Sequence, residues 1–506
     1  MSVPSSDLCS RIAAPARASA RLLGDDGEIC SLAELERRSH ALAEVIRAAG
    51  GTRVGLLARN APAWIAADVA CQIADTPLLP VPGFFTPAQA AHALRQSGID
   101  LLLCDPRLES EQRALLAELG ESRDVDAGGC DVWVLRLVAA PAAVAAPLPT
   151  GTGKITYTSG STGAPKGVCL GNARLLRQAA ALAEAVGIER PRHLSVLPLP
   201  VLLENVAGAY AALLAGGEVL LPDLARIGLG GSSSVEPRRL LAALGELQPQ
   251  TLILIPELLQ LLVRACEGGW RPPASLRFVA VGGARVAAAS ILRARDYGIP
   301  VYEGYGLSEC ASVVALNTPV ADRPGSAGRP LPQLRVDIRD GELMVSGNPF
   351  LGYVGDRTSW HPASVATGDL GRLDAEGFLH LEGRRGNLLV SSFGRNISPE
   401  WIESEIATGT PIAQCVVFGE ARPFLVALVW ADARVDDAAL AERIAQANAA
   451  LPDYAQVRRW WRLDEPLASS NGLATAGGKP RRAAIHERFG ARIARLYDAA
   501  REVAGA

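Results

Sequence analysis

The run Tyr157–Val168 reads YTSGSTGAPKGV. Gly160, Gly163 and Gly167 free the backbone from the limits a Cβ imposes. Thr158, Ser159, Ser161 and Thr162 supply hydroxyls between them, and Lys166 closes the run. Main-chain N–H groups turned toward an anion, hydroxyl donors and one compact ammonium together make a cradle for a polyphosphate. The alternative is a flexible Gly/Ser turn. Such a turn needs neither the ordered Pro165-Lys166-Gly167 nor the short apolar run KITY before it, which predicts a strand feeding the loop. A Walker loop is excluded. Leu148 stands where its first glycine would be, and Ile155 follows Gly153-Lys154 where a hydroxyl is required.

The 506 residues suggest about three domains, and 49% hydrophobic content gives ample core material. The formal charge of −3 and the lack of any basic block exclude a nucleic-acid footprint. Nine cysteines without a CxxC pair argue for reduced thiols in a cytoplasm, against a disulfide scaffold or zinc site. No secretory leader is visible. The most apolar run, Thr251–Val263, is too short to span a bilayer and contains Glu257. A cytoplasmic protein without a transmembrane segment is expected. Only three of the 50 basic residues are lysines: Lys154, Lys166 and Lys479. In so Arg-biased a chain, a lysine hints at a site that wants a compact ammonium.

Residues 50–105 alternate strand-like runs (RVGLLARN, TPLLPV, IDLLLCD) with a helix from Pro62 to Ile73, which implies a largely parallel sheet covered by helices. Helices are predicted at Ala173–Val186 and after Pro200. Strands are predicted at Leu252–Ile255 and Leu276–Val281, the latter ending at Gly282-Gly283-Ala284. In open sheets of this kind ligands sit beyond the carboxyl ends of strands. YEGYGLSE then brings an aromatic ring (Tyr305), a hydroxyl (Ser308) and a carboxylate (Glu309) within five positions, a set suited to a base, a phosphate and Mg²⁺. From Gly328 short alternating strands predict an all-β piece resembling a small barrel, with Asp374–Gly377 as a hairpin turn. A domain boundary is expected near Arg385–Gly386. It gives an N-terminal domain of residues 1–385 and a small α+β domain of residues 386–506.

Six motifs in order, YTSGSTGAPKG, YEGYGLSE, GELMVSG, TGDLG, GRR…GRNISPEWIE and NGLATAGGKPRR, resemble the adenylate-forming superfamily. That superfamily includes acyl-CoA synthetases, luciferases and peptide-synthetase adenylation domains, and the bacterial long-chain fatty-acyl-CoA synthetases look nearest. The resemblance implies an α/β fold: a large N-terminal domain of parallel sheets with a β-barrel-like subdomain, and a small mobile C-terminal lid. It implies ATP and Mg²⁺, a medium- or long-chain carboxylic acid converted to acyl-adenylate and pyrophosphate, and transfer to CoA. A carrier-protein phosphopantetheine is the alternative acceptor.

By position, Thr158–Gly163 and Lys166 would hold the terminal phosphates. Tyr305, Gly306 and Gly282–Ala284 would form the adenine pocket. Ser308 would touch the α-phosphate, and Glu309 with Thr158 would carry the metal. Asp369 and Arg384 would hold the ribose, and Lys479 would stabilise charge during adenylation. Val201, Leu202 and Gly283 would line the acyl pocket, Gly394 the thiol tunnel, and Gly386 the hinge. The chain departs from the family pattern where Val201 replaces a histidine, where Gly386 replaces an Asp or Lys, at Ala474 and Gly477 before the lysine, and before Thr367. Between Leu197 and Gly208 only Glu204 carries a carboxylate, so the acid is expected to be uncharged beyond its own carboxyl group. A non-catalytic nucleotide- or acyl-binding homologue is the reading from another class. Oligomeric state cannot be read from the sequence.

Overall fold

The apolar runs assemble into two large sheets in a computed structural model that describes residues 7–12, 19–119, 122–125, 133–137, 146–158, 166–230, 234–390, 396–408, 411–475 and 478–498. At the middle of an eight-stranded sheet lies Val54–Leu57, flanked in parallel by Leu78–Pro80 and Leu101–Cys104. Every residue of the central strand and of Leu101–Cys104 is buried. Unbroken apolar strands are what a parallel sheet covered on both faces requires. The covering helices begin where the sequence signals them. Pro62 opens Pro62–Ala74, and Thr86 caps Pro87–Ser97 in a capping box with Gln89.

A nine-stranded sheet packs beside the first. Arg192–Leu194, Glu218–Leu220, Thr251–Leu254, Phe278–Val281 and the start of Val301–Leu307 run parallel in it. The strand predicted before the glycine-rich loop is Lys154–Thr158. It does not lead to a helix. The chain returns as an unpredicted antiparallel strand, Lys166–Leu170, in a register that sets Thr158 opposite Lys166. The helix expected after Pro200 also differs, because Leu203–Tyr210 is wound as a π-helix.

One of the three lysines is consumed by the fold. Lys154 is 1% exposed, and its ammonium donates to Asp68 Oδ2 at 2.7 Å and Asn205 Oδ1 at 2.6 Å. Tyr210 donates to the same Asp68 oxygen at 2.6 Å. The Lys154 ammonium also stands 5.8 Å from the Trp64 ring centre. The network ties the Pro62–Ala74 helix, the strand before the glycine-rich loop and the π-helix to one another. A buried cation needs such partners.

The all-β piece is a four-stranded antiparallel sheet of Arg335–Arg339, Glu342–Ser346, Ser364–Leu373 and Leu379–Arg384. Its two outer strands do not pair, so the barrel-like expectation becomes an open sheet. Asp374–Gly377 forms the predicted turn, with Gly377 at φ 80°. A single 3₁₀ turn, Arg385–Asn387, carries the chain onward. Beyond it, Gln414–Phe418, Leu425–Trp430 and Val457–Arg462 make a three-stranded sheet. Helices Pro399–Ala407 and Asp437–Ala450 pack on it over a core that includes Ile402, Ile406, Val417 and Leu440. Among the described residues, no helix is long and apolar enough to cross a membrane. The described cysteines are buried.

Candidate functional site

The site is built where strands of the large sheet end. Val301–Leu307 runs out of the parallel sheet, turns antiparallel against Ser312–Leu316 and bulges between Tyr305 and Gly306. A Cβ at Gly306 would strike the Ser312 carbonyl, so the bulge requires glycine there. Tyr305 is thereby aimed at the four-stranded sheet, where its hydroxyl donates to Asp369 Oδ2 at 2.6 Å. Arg384, directly across the ladder from Asp369, donates through Nε to Oδ1 at 2.8 Å. Asp369 is 8% exposed, and its own N–H donates to Thr367 Oγ1 at 3.0 Å. Burial, then the Asp369 charge, raises the Tyr305 hydroxyl well above its ordinary pKa, so it stays a donor.

Lys479, on the C-terminal segment, lies within electrostatic reach of Arg384 and Asp369. Gly478, at φ 79°, shapes its turn, and Thr475 Oγ1 accepts the Lys479 N–H at 3.1 Å. The residue keeps exposed surface, yet protein crowds its ammonium. That desolvation, followed by the Arg384 cation, holds its pKa below the ordinary lysine value, while Asp369, Glu257 and Glu400 act in the opposite sense. Three sequence-predicted residues, Tyr305, Asp369 and Arg384, are therefore in hydrogen-bond contact, with Lys479 as their electrostatic neighbour.

Gly282–Ala284 follows strand Phe278–Val281. A Cβ at Gly282 would come 3.0 Å from the Gly304 carbonyl oxygen. Gly283 has φ 84° and meets only Ile255 at 3.9 Å, which leaves an open face beside the strand ends. Two residues before Tyr305 in the same strand, Glu303 is buried, with the Arg285 charge nearby. Burial pushes its carboxyl up to about 8, and Arg285 opposes the rise. A carboxyl raised in the folded state binds a proton that the unfolded chain has already lost. Stability is therefore expected to fall as pH climbs from 4.5 toward about 8. Glu303→Gln should flatten that slope in urea titrations at pH 5 and pH 8. An unchanged slope would assign the pH dependence to other groups.

Glu309 sits in the turn Ser308–Cys310 that ends the strand, with Ser308 as the turn's first residue. The Tyr353 hydroxyl donates to Glu309 Oε1 at 2.9 Å. Lys166 is exposed and places its ammonium 5.3 Å from the centre of the Tyr353 ring. Tyr353 stands outside the six quoted motifs, and the folded chain brings it to these two residues.

On the pocket side, Val201 is half-buried and Leu202 is packed into the core ahead of the π-helix. Glu204 is fully buried and occupied. Its Oε1 lies 2.8 Å from His193 Nε2, and its Oε2 accepts the Leu197 N–H at 3.2 Å. Gly386 is exposed in the 3₁₀ turn, where a Cβ would meet nothing within 4 Å. The neighbouring Arg385 donates to the Asp340 carbonyl at 3.2 Å. Ser159, Gly160, Ser161, Thr162 and Gly163 lie outside the described residues, as does Gly394. For Thr158 the strand pairing is described.

Residues 11–354 match the AMP-binding enzyme family, and residues 386–501 match the AMP-binding enzyme C-terminal domain. A feruloyl-CoA synthase of an Amycolatopsis species is 31% identical over 436 residues, 78% of this chain and 82% of that protein. A long-chain-fatty-acid–CoA ligase of Mycobacterium bovis is 31% identical over 266 residues, 47% of this chain and 44% of that ligase. Among solved structures, an anthranilate CoA ligase in complex with anthranoyl-AMP shares the fold. Its TM-score is 0.78 at 17% identity, covering 96% of this chain and 97% of that one.

Proposed function

This chain belongs to the AMP-binding enzyme family, and on that premise we propose that it activates an uncharged, apolar carboxylic acid as its acyl-adenylate and passes the acyl group to CoA. It is an adenylate-forming acid–CoA ligase. The observation that supports the assignment of residues is the cluster in which Tyr305 and Arg384 both hold Asp369 while Lys479 lies within electrostatic reach of it. In this reading Asp369 accepts the ribose hydroxyls, and Tyr305 lies against adenine beside Gly282–Ala284. Ser308 reaches the α-phosphate, and Lys479 meets the charge that develops as the carboxylate attacks. Thr158–Gly163 and Lys166 hold the terminal phosphates. Gly386 serves as the hinge of a lid formed by residues 386–506.

The residues present suit a magnesium ion. Among the described residues no cluster of three or more His, Cys, Asp or Glu side chains forms a closed metal site. Among those same residues, Glu309 offers one oxygen that no protein donor takes. Mg²⁺ ordinarily binds through one or two carboxylates and the substrate's phosphates. When bound, it would neutralise charge on the phosphate chain.

Glu204 supports the uncharged acid. An amino-acid substrate needs a free carboxylate for its ammonium, and the only one on the pocket helix is spent on His193 and Leu197. Leaving that ammonium unpaired costs several kcal/mol. Two apolar classes fit: a medium- or long-chain fatty acid, as the motifs suggest, and an aryl acid. The aryl class is favoured by coverage, since the feruloyl-CoA synthase aligns with 78% of this chain and the fatty-acid ligase with 47%.

Pyrophosphate exchange over a panel of fatty, aryl and amino acids tests the substrate. Exchange with the best uncharged acid is expected to exceed that with any amino acid by about a hundredfold or more. Greater exchange with amino acids would overturn the uncharged pocket, and none with any acid would favour a non-catalytic binding protein. CoA and a carrier-protein phosphopantetheine, offered in parallel, decide the acceptor. CoA is the expected one.

A further inference from the structure

We infer that Tyr353 is a positioning residue for the nucleotide's metal and phosphates, holding Glu309 and Lys166 at two separate points of one aromatic side chain. The inference rests on the reading of Glu309 as the metal carboxylate.

Three separate segments converge on this ring. Lys166 begins the return strand of the glycine-rich hairpin, and Glu309 lies in the turn after YEGYGL. Tyr353 belongs to a two-residue strand, Gly352–Tyr353, that pairs antiparallel with the hairpin at Val168. Main-chain bonds fix its place. The Val354 N–H donates to the Gly167 carbonyl at 2.9 Å, and the Phe350 N–H donates to the Glu309 carbonyl at 2.7 Å. The Tyr353 N–H donates to Ser359 Oγ at 2.8 Å, and Trp360 Nε1 donates to the Tyr353 carbonyl at 3.0 Å. Gly352, at φ 136°, lets Trp360 pack where a Cβ would otherwise sit. Phe350 meets the ring edge-on with centroids 4.8 Å apart. A ring held this firmly does not follow its ligands; they follow it.

The two contacts on the ring differ in kind. The hydroxyl donates to Glu309 Oε1 at 2.9 Å, which orients the carboxylate and leaves Oε2 to face a cation. The ring centre attracts the Lys166 ammonium at 5.3 Å, a cation–π contact that orders a long, exposed side chain before nucleotide arrives. Pre-ordering both groups removes part of the entropy that binding would otherwise cost. Hydroxyl and ring therefore serve different ligands: the hydroxyl the metal, the ring the phosphates.

That separation makes the test. In the full chain, Tyr353→Phe keeps the ring and is expected to weaken Mn²⁺ binding in the presence of ATP by about tenfold. The Mg²⁺ concentration for half-maximal pyrophosphate exchange should rise in parallel, and ATP binding in EDTA should stay unchanged. Tyr353→Leu should weaken ATP binding in EDTA as well. The hydroxyl effect should vanish in a Glu309→Gln background, because Tyr353 acts through that carboxylate. If Glu309→Gln weakens Mn²⁺ binding and Tyr353→Phe does not, the inference about Tyr353 fails while the metal reading stands. If Glu309→Gln itself leaves Mn²⁺ binding intact, the metal reading fails and this inference fails with it.

Discussion

Replacing Lys154 by methionine is expected to cost roughly 3–5 kcal/mol of stability, the range seen when one partner of a buried ion pair is removed. The carboxylate of Asp68, 1% exposed, would lose the ammonium 2.7 Å from its Oδ2. Among the described residues its Oδ1 has no hydrogen-bond partner even with the lysine present. Tyr210 and the Asn205 amide would remain as neutral donors to Oδ2, too little to hold a charge away from water. Removing the charge as well should undo most of the damage, so Lys154→Met combined with Asp68→Asn is expected to be more stable than Lys154→Met alone. Trp64, whose ring centre lies 5.8 Å from the ammonium, reports the change by fluorescence in urea unfolding. A loss below about 1 kcal/mol, or a double variant no better than the single, would show that the pair is not what secures the π-helix.

The same lysine marks how far sequence reasoning reaches. Val54–Leu57 and its parallel neighbours were legible because a short, unbroken apolar run between turn signals suits little but a buried strand. The π-helix at Leu203–Tyr210 was not, since apolar periodicity does not report which carbonyl an N–H will choose. The strand Lys166–Leu170 hid behind the glycines and proline that precede it. Of the candidate site, Tyr305, Asp369 and Arg384 could be named by resemblance. Their meeting depends on a bulge at Gly306 and on a ladder register that sets Asp369 opposite Arg384. Tyr353 could not be named at all. Its partners lie 44 residues away at Glu309 and further still at Lys166, joined only by sheet pairing. Lysine scarcity misled at Lys154, where the ammonium serves the core.

At Lys479 an Arg-biased chain keeps one of its three lysines. Lys479→Arg keeps the charge and is expected to slow adenylation by about 10²-fold or more, the loss that follows removal of one preorganised donor. The reason is shape. The lysine ammonium already shares its surroundings with Arg384, Asp369, Glu257 and Glu400, and a planar guanidinium is larger than an ammonium and fixed in outline. A second guanidinium beside Arg384 would also compete for the carboxylate of Asp369. Thioester formation from synthetic acyl-adenylate should change by no more than a few-fold if, as we propose, the lid hinged at Gly386 carries this lysine away before the thiol attacks.

The pH profile gives an independent readout. Desolvation and the Arg384 cation lower the pKa of Lys479 from its ordinary 10.5. Loss of the ammonium should therefore bring down adenylation on the alkaline side below that value. The arginine variant, which does not deprotonate in this range, should lose the alkaline limb while remaining slow throughout. Normal adenylation by Lys479→Arg would show that charge alone suffices. Equal loss in both half-reactions would point instead to a damaged C-terminal domain, since only a fault of folding removes two steps that use the lysine differently.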